Sequence, residues 1–217
     1  FTGAPLVFNP DALEPSALSP LLRGPANVTG RVELSGSASW SSGDFNASAS
    51  ANLQSIGFAL ASAGVFEGVS GQIEVSDLLR GLSPPGQSLT IDRVTLGIPF
   101  EDGRLSFSLL GYDAVRLESA SWPFAGGRLN IHPVDYSLNG GETRFVGEAV
   151  DWDLAAVVDR FKVPDLQAEG TVSGEFPVVF STGSARIDHA VLEASDDGGV
   201  ILYTGSTGDA AASADAN

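Results

Sequence analysis

Alternation of apolar and polar residues runs through most of this chain, and a period of two puts every second side chain on one face of a strand. Val28, Val32, Leu34, Ala38 and Trp40 share one parity, while Thr29, Arg31, Glu33 and Ser35 hold the other. Phe45, Ala47, Ala49, Ala51 and Leu53 repeat the pattern against Asn46, Ser48, Ser50 and Asn52. Between the two runs lies Ser41-Ser42-Gly43-Asp44, a turn composition that predicts a hairpin. The grammar continues through Val69, Ile73 and Val75, then Leu89 and Ile91. Val94, Leu96, Ile98 and Phe100 follow on the opposite parity, a slip that predicts a bulge near Asp92-Arg93. Leu105 and Phe107, Leu129 with Ile131, Phe145 with Gly147, and Val172, Phe176 and Val178 complete the set. The fold class expected is mainly β.

Three stretches depart from this rule. Residues 1–26 form a proline-rich lead-in, with Pro5, Pro10, Pro15, Pro20 and Pro25 excluding a long helix and leaving room for a helical turn over Ser16 to Leu22. Asp77 to Leu82 reads as one helical turn, and Asp151 to Phe161 as a helix, capped by Asp151 or Asp153 and stopped before Val163-Pro164. A β domain is therefore expected over residues 27–204, followed by a flexible Gly/Ser/Ala/Asp-rich tail over residues 205–217.

Charge narrows the function classes. The net charge is −16, with Lys162 the only lysine. Such a balance repels phosphate backbones, which excludes nucleic acid as a partner, and disfavours adsorption onto anionic bilayers. Any lipid contact must use apolar surface. The absence of Cys suits an oxidising compartment, and the absence of Met leads to the expectation that the chain is a piece of a longer protein. The longest nearly apolar run, Ile56 to Phe66, is about half of the roughly 20 residues a spanning helix needs.

Catalytic signatures are missing. His132 and His189 are the only histidines and neither has metal-ligand spacing to a second ligand, so structural or surface roles are expected for both. No nucleophile elbow or phosphate-cradling loop occurs. Glu101-Asp102-Gly103 and Asp196-Asp197-Gly198-Gly199 have adjacent rather than alternating carboxylates, which suits turns and not calcium loops. Asp151, Asp153 and Asp159 read as a cap and solvated charges. The expectation is a non-enzymatic protein with no cofactor, no metal and no catalytic residue.

The template Val, hydroxyl residue, Gly, polar, apolar, any, apolar recurs at Val28-Thr29-Gly30, Val69-Ser70-Gly71 and Val172-Ser173-Gly174, unevenly spaced, which argues for recurring strand units and against a regular solenoid. Pro10-Asp11-Ala12-Leu13 precedes the first copy, and the following strand ends in Trp40. Trp122-Pro123-Phe124-Ala125-Gly126-Gly127-Arg128-Leu129, the helix after Asp151, Gly170 to Val178 and Gly198-Gly199-Val200-Ile201-Leu202-Tyr203 follow in order. In these features the chain resembles the C-terminal region of the YdbH-like family, AsmA-type proteins of Gram-negative bacteria.

The resemblance implies a long, curled antiparallel sheet forming an open, U-shaped hydrophobic groove in the periplasm, as part of a longer inner-membrane-anchored protein. It implies phospholipid transport between inner and outer membranes, with acyl chains shielded in the groove. It also implies a small outer-membrane lipoprotein as partner, by strand addition at a sheet edge. The alternating residues then nominate the lining as Val32, Leu34, Phe45, Leu53, Val69, Ile73, Leu96, Ile98, Phe107, Leu129, Ile131, Phe145, Val172 and Phe176. The alternative is a closed sandwich or barrel in which the same residues bury one another and the protein acts as a structural or adhesive surface module.

Overall fold

A computed structural model describes residues 1–18, 24–41, 44–60, 64–181, 184–187 and 189–205. The turn at residues 42–43, the end of the expected helical turn near Leu22 and the tail from residue 206 lie outside the described residues. The strands are β1 (Leu6–Phe8), β2 (Ala26–Ser41), β3 (Asp44–Leu60), β4 (Gly64–Val75), β5 (Gln87–Leu96), β6 (Ile98–Leu109) and β7 (Ala114–Phe124). They continue with β8 (Gly127–Ile131), β9 (Val134–Ser137), β10 (Thr143–Asp153), β11 (Leu166–Ser181), β12 (Ser184–Ile187) and β13 (Val191–Tyr203). Two short helices, α1 (Pro15–Leu18) and α2 (Leu154–Phe161), complete the described elements.

All the described strands belong to one antiparallel sheet, ordered β1-β2-β3-β4-β5-β6-β7-β8-β10-β11-β12, with β9 paired to β7 and β13 to β11. Nearly every neighbour in space is a neighbour in sequence, as period-two strands joined by tight turns dictate. The end strands do not pair with each other, so the sheet does not close. Closure into a barrel is thereby overturned, and no second sheet lies over the apolar face among the described residues.

The sheet bends along a crease that crosses its strands. Left-handed backbone recurs at Ser55 (φ 50) in β3, Gly68 (φ 69) in β4, Asp102 (φ 56) in β6, Asp151 (φ 53) in β10 and Gly170 (φ 110) in β11. Residues with short polar side chains tolerate this region better than bulky ones, and strands carrying such irregularities bend and twist more strongly. Gly68 allows the bend to be tight: a Cβ there would lie 2.0 Å from Asp92 Oδ2 of β5. Across the crease the inward parity flips in step, from Leu53 to Ile56, Val69 to Phe66, Ile91 to Val94 and Leu105 to Phe100.

The expected bulge at Asp92-Arg93 takes a different form. Pairing of β5 with β6 holds constant register from Gln87↔Phe107 to Leu96↔Ile98, so no extra residue is inserted. Strands β5 and β6 bend together, which changes the face without changing their register, whereas between β3 and β4 the register itself shifts from Leu53 to Ile56.

Helix α2 begins later than the sequence suggests, because β10 runs on through Asp153. Asp153 is the cap: its Oδ1 accepts the Ala155 N–H at 2.8 Å, satisfying one of the donors a helix start leaves unpaired. Lys162 ends the helix in left-handed conformation (φ 51). The stretch 77–82 is a single hydrogen-bonded turn, with Asp77 Oδ1 accepting from the Leu79 and Arg80 N–H groups.

Candidate functional site

Register places one apolar row across ten strands. Leu6, Val32, Leu53, Gly71, Leu89, Leu105, Ala120, Ile131, Gly147 and Phe176 stand directly opposite one another from β1 to β11. At the usual strand spacing, nine intervals extend roughly 43 Å along the curved sheet. The glycines are roofed by neighbours: a Cβ on Gly147 would lie 2.3 Å from the Phe176 ring, and one on Gly71 2.8 Å from Leu89 Cδ2.

The next row over is polar throughout. Ser70, Thr90, Arg104, Ser121, Asn130, Glu148 and Glu175 pair in sequence from β4 to β11. Ser121 Oγ and Asn130 Oδ1 lie 2.8 Å apart, and Asn130 Nδ2 donates to Glu148 Oε2 at 2.9 Å. Adjacent rows point to opposite faces, so the sheet has one apolar and one hydrated side.

Past the crease a second apolar band begins. Phe58, Phe66, Val94 and Phe100 are successive partners, with Phe58 and Phe66 stacked at 4.9 Å. Ring contacts extend the band: Phe100 to Phe124 at 5.3 Å, Phe124 to Trp152 at 4.7 Å and Trp152 to Phe176 at 5.7 Å. Ile91 and Val94 are only 2 % exposed. With no second sheet over them, they are covered by side chains from both sides of the crease, Leu53, Leu89 and Leu105 from the row and Phe58, Phe66 and Phe100 from the band, together with Leu6 and Leu13 of the lead-in, so that two apolar walls meet inside the bend. The two buried clusters share Phe100 and Trp122, so the lining is continuous.

Covers exist near both ends of this lining. Leu13 of the lead-in packs against the first cluster. Helix α2 lays Ala156 and Val157 on the second cluster, and Arg160 sits 5.2 Å above the Phe124 ring with Nη2 donating to Pro99 O at 2.5 Å. An open cleft of about 670 Å³ remains between α2 and β11, lined in part by Val158, Val163, Leu166 and Ala168.

The nominated residues divide by place. Val32, Leu34, Leu53 and Val69 join the first cluster, and Ile98, Leu129, Ile131, Phe145 and Phe176 the second. Phe107 and Val172 are buried outside those clusters and Ile73 is half-buried beside Ala51. Phe45 and Leu96 project from strand ends and are 42 % and 50 % exposed. Sequence reasoning passed over Phe58, Phe66, Trp122, Phe124 and Trp152, which form the aromatic band. For Phe58 and Phe66 the signal was a parity flip within β3 and β4, whereas Trp122 and Phe124 simply continue the parity of Ala120 along β7.

On the hydrated face, carboxylates are held ionised. The Ser106 hydroxyl, with help from the Gly86 N–H and nearby Arg116, holds Glu118 below the usual carboxylate range despite its partial burial. Arg116 does the same for Asp135 through a two-pronged contact at 2.7 and 2.8 Å. A depressed folded-state pKa contributes stability that is present above the unfolded value and lost as pH falls through the folded one. The melting temperature should therefore decline as the pH drops below about 4, the ordinary carboxylate range. In Glu118→Gln and Asp135→Asn variants that acid limb should flatten in thermal melts followed across pH.

Among the described residues no three His, Asp or Glu side chains gather as a metal-binding group, and no helix is long and apolar enough to cross a membrane. His132 Nε2 lies 3.9 Å from Glu148 Oε2 on the hydrated face.

Comparison with curated proteins and with solved structures returns no match. Comparison with protein families matches the chain over residues 1–217 to a family described as YdbH-like, intermembrane phospholipid transport protein YdbH. An open, bent, apolar-lined sheet agrees with that description, and the chain belongs to the YdbH-like family of intermembrane phospholipid transport proteins.

Proposed function

We propose that the chain shields phospholipid acyl chains inside the bend of its sheet, as one segment of a periplasmic, inner-membrane-anchored bridge between the two membranes of a Gram-negative cell. The family's role in moving phospholipid between membranes supports this. The carrying observation is the unbroken apolar row next to an unbroken polar one. Each methylene removed from water is worth about 0.8 kcal/mol, so a sixteen-carbon chain crossing water bare would cost on the order of 12 kcal/mol. A hydrocarbon core of about 30 Å allots roughly 15 Å to each leaflet's tails, so a row of roughly 43 Å accepts more than one tail end to end.

The lining works without catalysis or a cofactor. Its floor is fixed by backbone pairing, its wall by packed aromatics, and headgroups stay at the open side in water. Strand β13 supports the reading of a protein partner at that edge: Val191, Val200, Ile201, Leu202 and Tyr203 are all more than half exposed, and an apolar strand with a free edge recruits a further strand. A small outer-membrane lipoprotein adding a strand there is part of this proposal.

Native mass spectrometry of protein purified in gentle detergent tests the function. Bound phospholipid is the expected result. Consistently empty protein, with added phospholipid failing to bind, would remove the conduit.

A further inference from the structure

The connections along one edge of the sheet share a property that the lining does not explain. These are the β2–β3 tip, the β4–β5 and β6–β7 connections and the segment after β9. Large apolar side chains project from all four: Trp40 (81 % exposed), Leu79 (62 %), Tyr112 (57 %), Leu138 (56 %), Phe45 (42 %) and Leu110 (39 %). From β2 to β9 they spread over roughly six strand spacings, about 29 Å.

The projecting residues stand on an ordered ledge. The Leu78 N–H donates to Ala47 O at 2.9 Å, Leu82 pairs with Leu110, the Tyr112 hydroxyl donates to Leu78 O, and the Leu138 N–H donates to Asp113 O at 2.7 Å. Each connection is thus tied to the next, and the apolar tips are held outward at fixed spacing. Trp40 and Phe45 are edge-on to each other at 6.1 Å, at the far end of the longest hairpin.

We propose that this lip is a membrane-docking edge that sinks into the headgroup region of an uncharged phospholipid bilayer. Trp and Tyr combine an apolar body with a polar end and concentrate at membrane interfaces. Separate fingers suit a soft, disordered interface better than a protein surface, which needs a contiguous patch of about 800 Å² on each side. Charge selects the kind of bilayer. Arg80 lies 3.8 Å from Asp77 and Arg144 2.7 Å from Glu142, leaving Asp44 and Asp113 as the balance on this lip; anionic headgroups would be repelled.

The test uses the whole chain with phosphatidylcholine vesicles and, in parallel, phosphatidylglycerol vesicles. Trp40 is the exposed tryptophan, since Trp122 and Trp152 are half-buried, so its emission reports docking. Phosphatidylcholine should shift the emission to the blue and carry the protein upward in flotation, and phosphatidylglycerol should do so less. Trp40→Ser with Leu79→Ser should weaken flotation roughly a hundredfold, about tenfold for each large apolar side chain withdrawn. Val65→Ser with Leu96→Ser, on the opposite lip, should float as well as the parent, and so should Leu105→Asp, which alters the lining alone. Absence of flotation with phosphatidylcholine overturns the proposal. So does equal loss in the opposite-lip variant, or a lip variant whose only change is lost self-association in sedimentation, which would give this edge to a second copy.

Discussion

A chain carrying Leu105→Asp is expected to retain its strands and lose its phospholipid. Leu105 stands mid-row between Leu89 and Ala120 and is only partly buried. In the lipid-free protein its carboxylate can reach water, so the fold survives with a modest loss. An acyl chain laid along the row would strip that water, and an unpaired charge in an apolar setting costs several kcal/mol or titrates instead. Bound lipid should fall roughly a hundredfold, since 2.7 kcal/mol is two powers of ten. Leu89→Asp, its direct partner, should behave alike. Thr90→Asp, one residue away on the hydrated row, should retain lipid at the parental level. Phosphorus content of the purified proteins and far-ultraviolet circular dichroism measure the two halves of this expectation. Unfolding of Leu105→Asp, or lipid loss equal in Thr90→Asp, would remove the distinction between the faces.

Phe124→Ala should have the largest effect on stability, about 3–5 kcal/mol. Phe124 is 3 % exposed. Its ring meets Phe100 at 5.3 Å, Trp152 at 4.7 Å and Phe161 at 6.4 Å, and carries the Arg160 guanidinium at 5.2 Å. Removing it opens a cavity at the junction of two walls and leaves α2 with little to hold it, because no residue of that helix is itself fully buried. Against typical total stabilities of about 5–15 kcal/mol the loss is severe. Phe161→Ala, on the exposed side of the same cluster, should cost far less. Thermal and urea melts of the two variants test the contrast, and equal costs would mean that the aromatic band is not the joint between walls.

Much of this was legible in the sequence, because period-two alternation fixes the faces once strands pair with their neighbours. Val32 and Leu53 could be assigned to one side without knowing their partners. The single open layer was not derivable from alternation, which a sandwich satisfies equally well; it entered through resemblance and is carried by the unpaired end strands. The crease shows how a local signal can be read too locally. Asp92-Arg93 breaks the parity of β5, which in isolation means an inserted residue. Set beside the flips at Leu53 to Ile56 and Leu105 to Phe100, it means that strands β3 to β6 fold along one line, with constant register between β5 and β6.

That view also sets apart the deep and shallow members of the nominated lining. Phe107 and Val172 are 5 % and 6 % exposed, so charged substitutions there should unfold the protein and not merely block a passage. Leu96, at half exposure, should tolerate them. Sequence parity gives the face of a residue. Its distance from the crease, which sets how much of it the opposite wall covers, depends on three-dimensional curvature.

Photo-crosslinking in cells bears most directly on the claim that the inside of the bend holds lipid. A photoreactive residue placed singly at Leu53, Leu89, Leu105 or Ile131 should form adducts with phospholipid, while the same residue at Ser70, Thr90, Arg104 or Asn130 should form none. Equal labelling of both rows, or labelling confined to the hydrated one, would contradict the account.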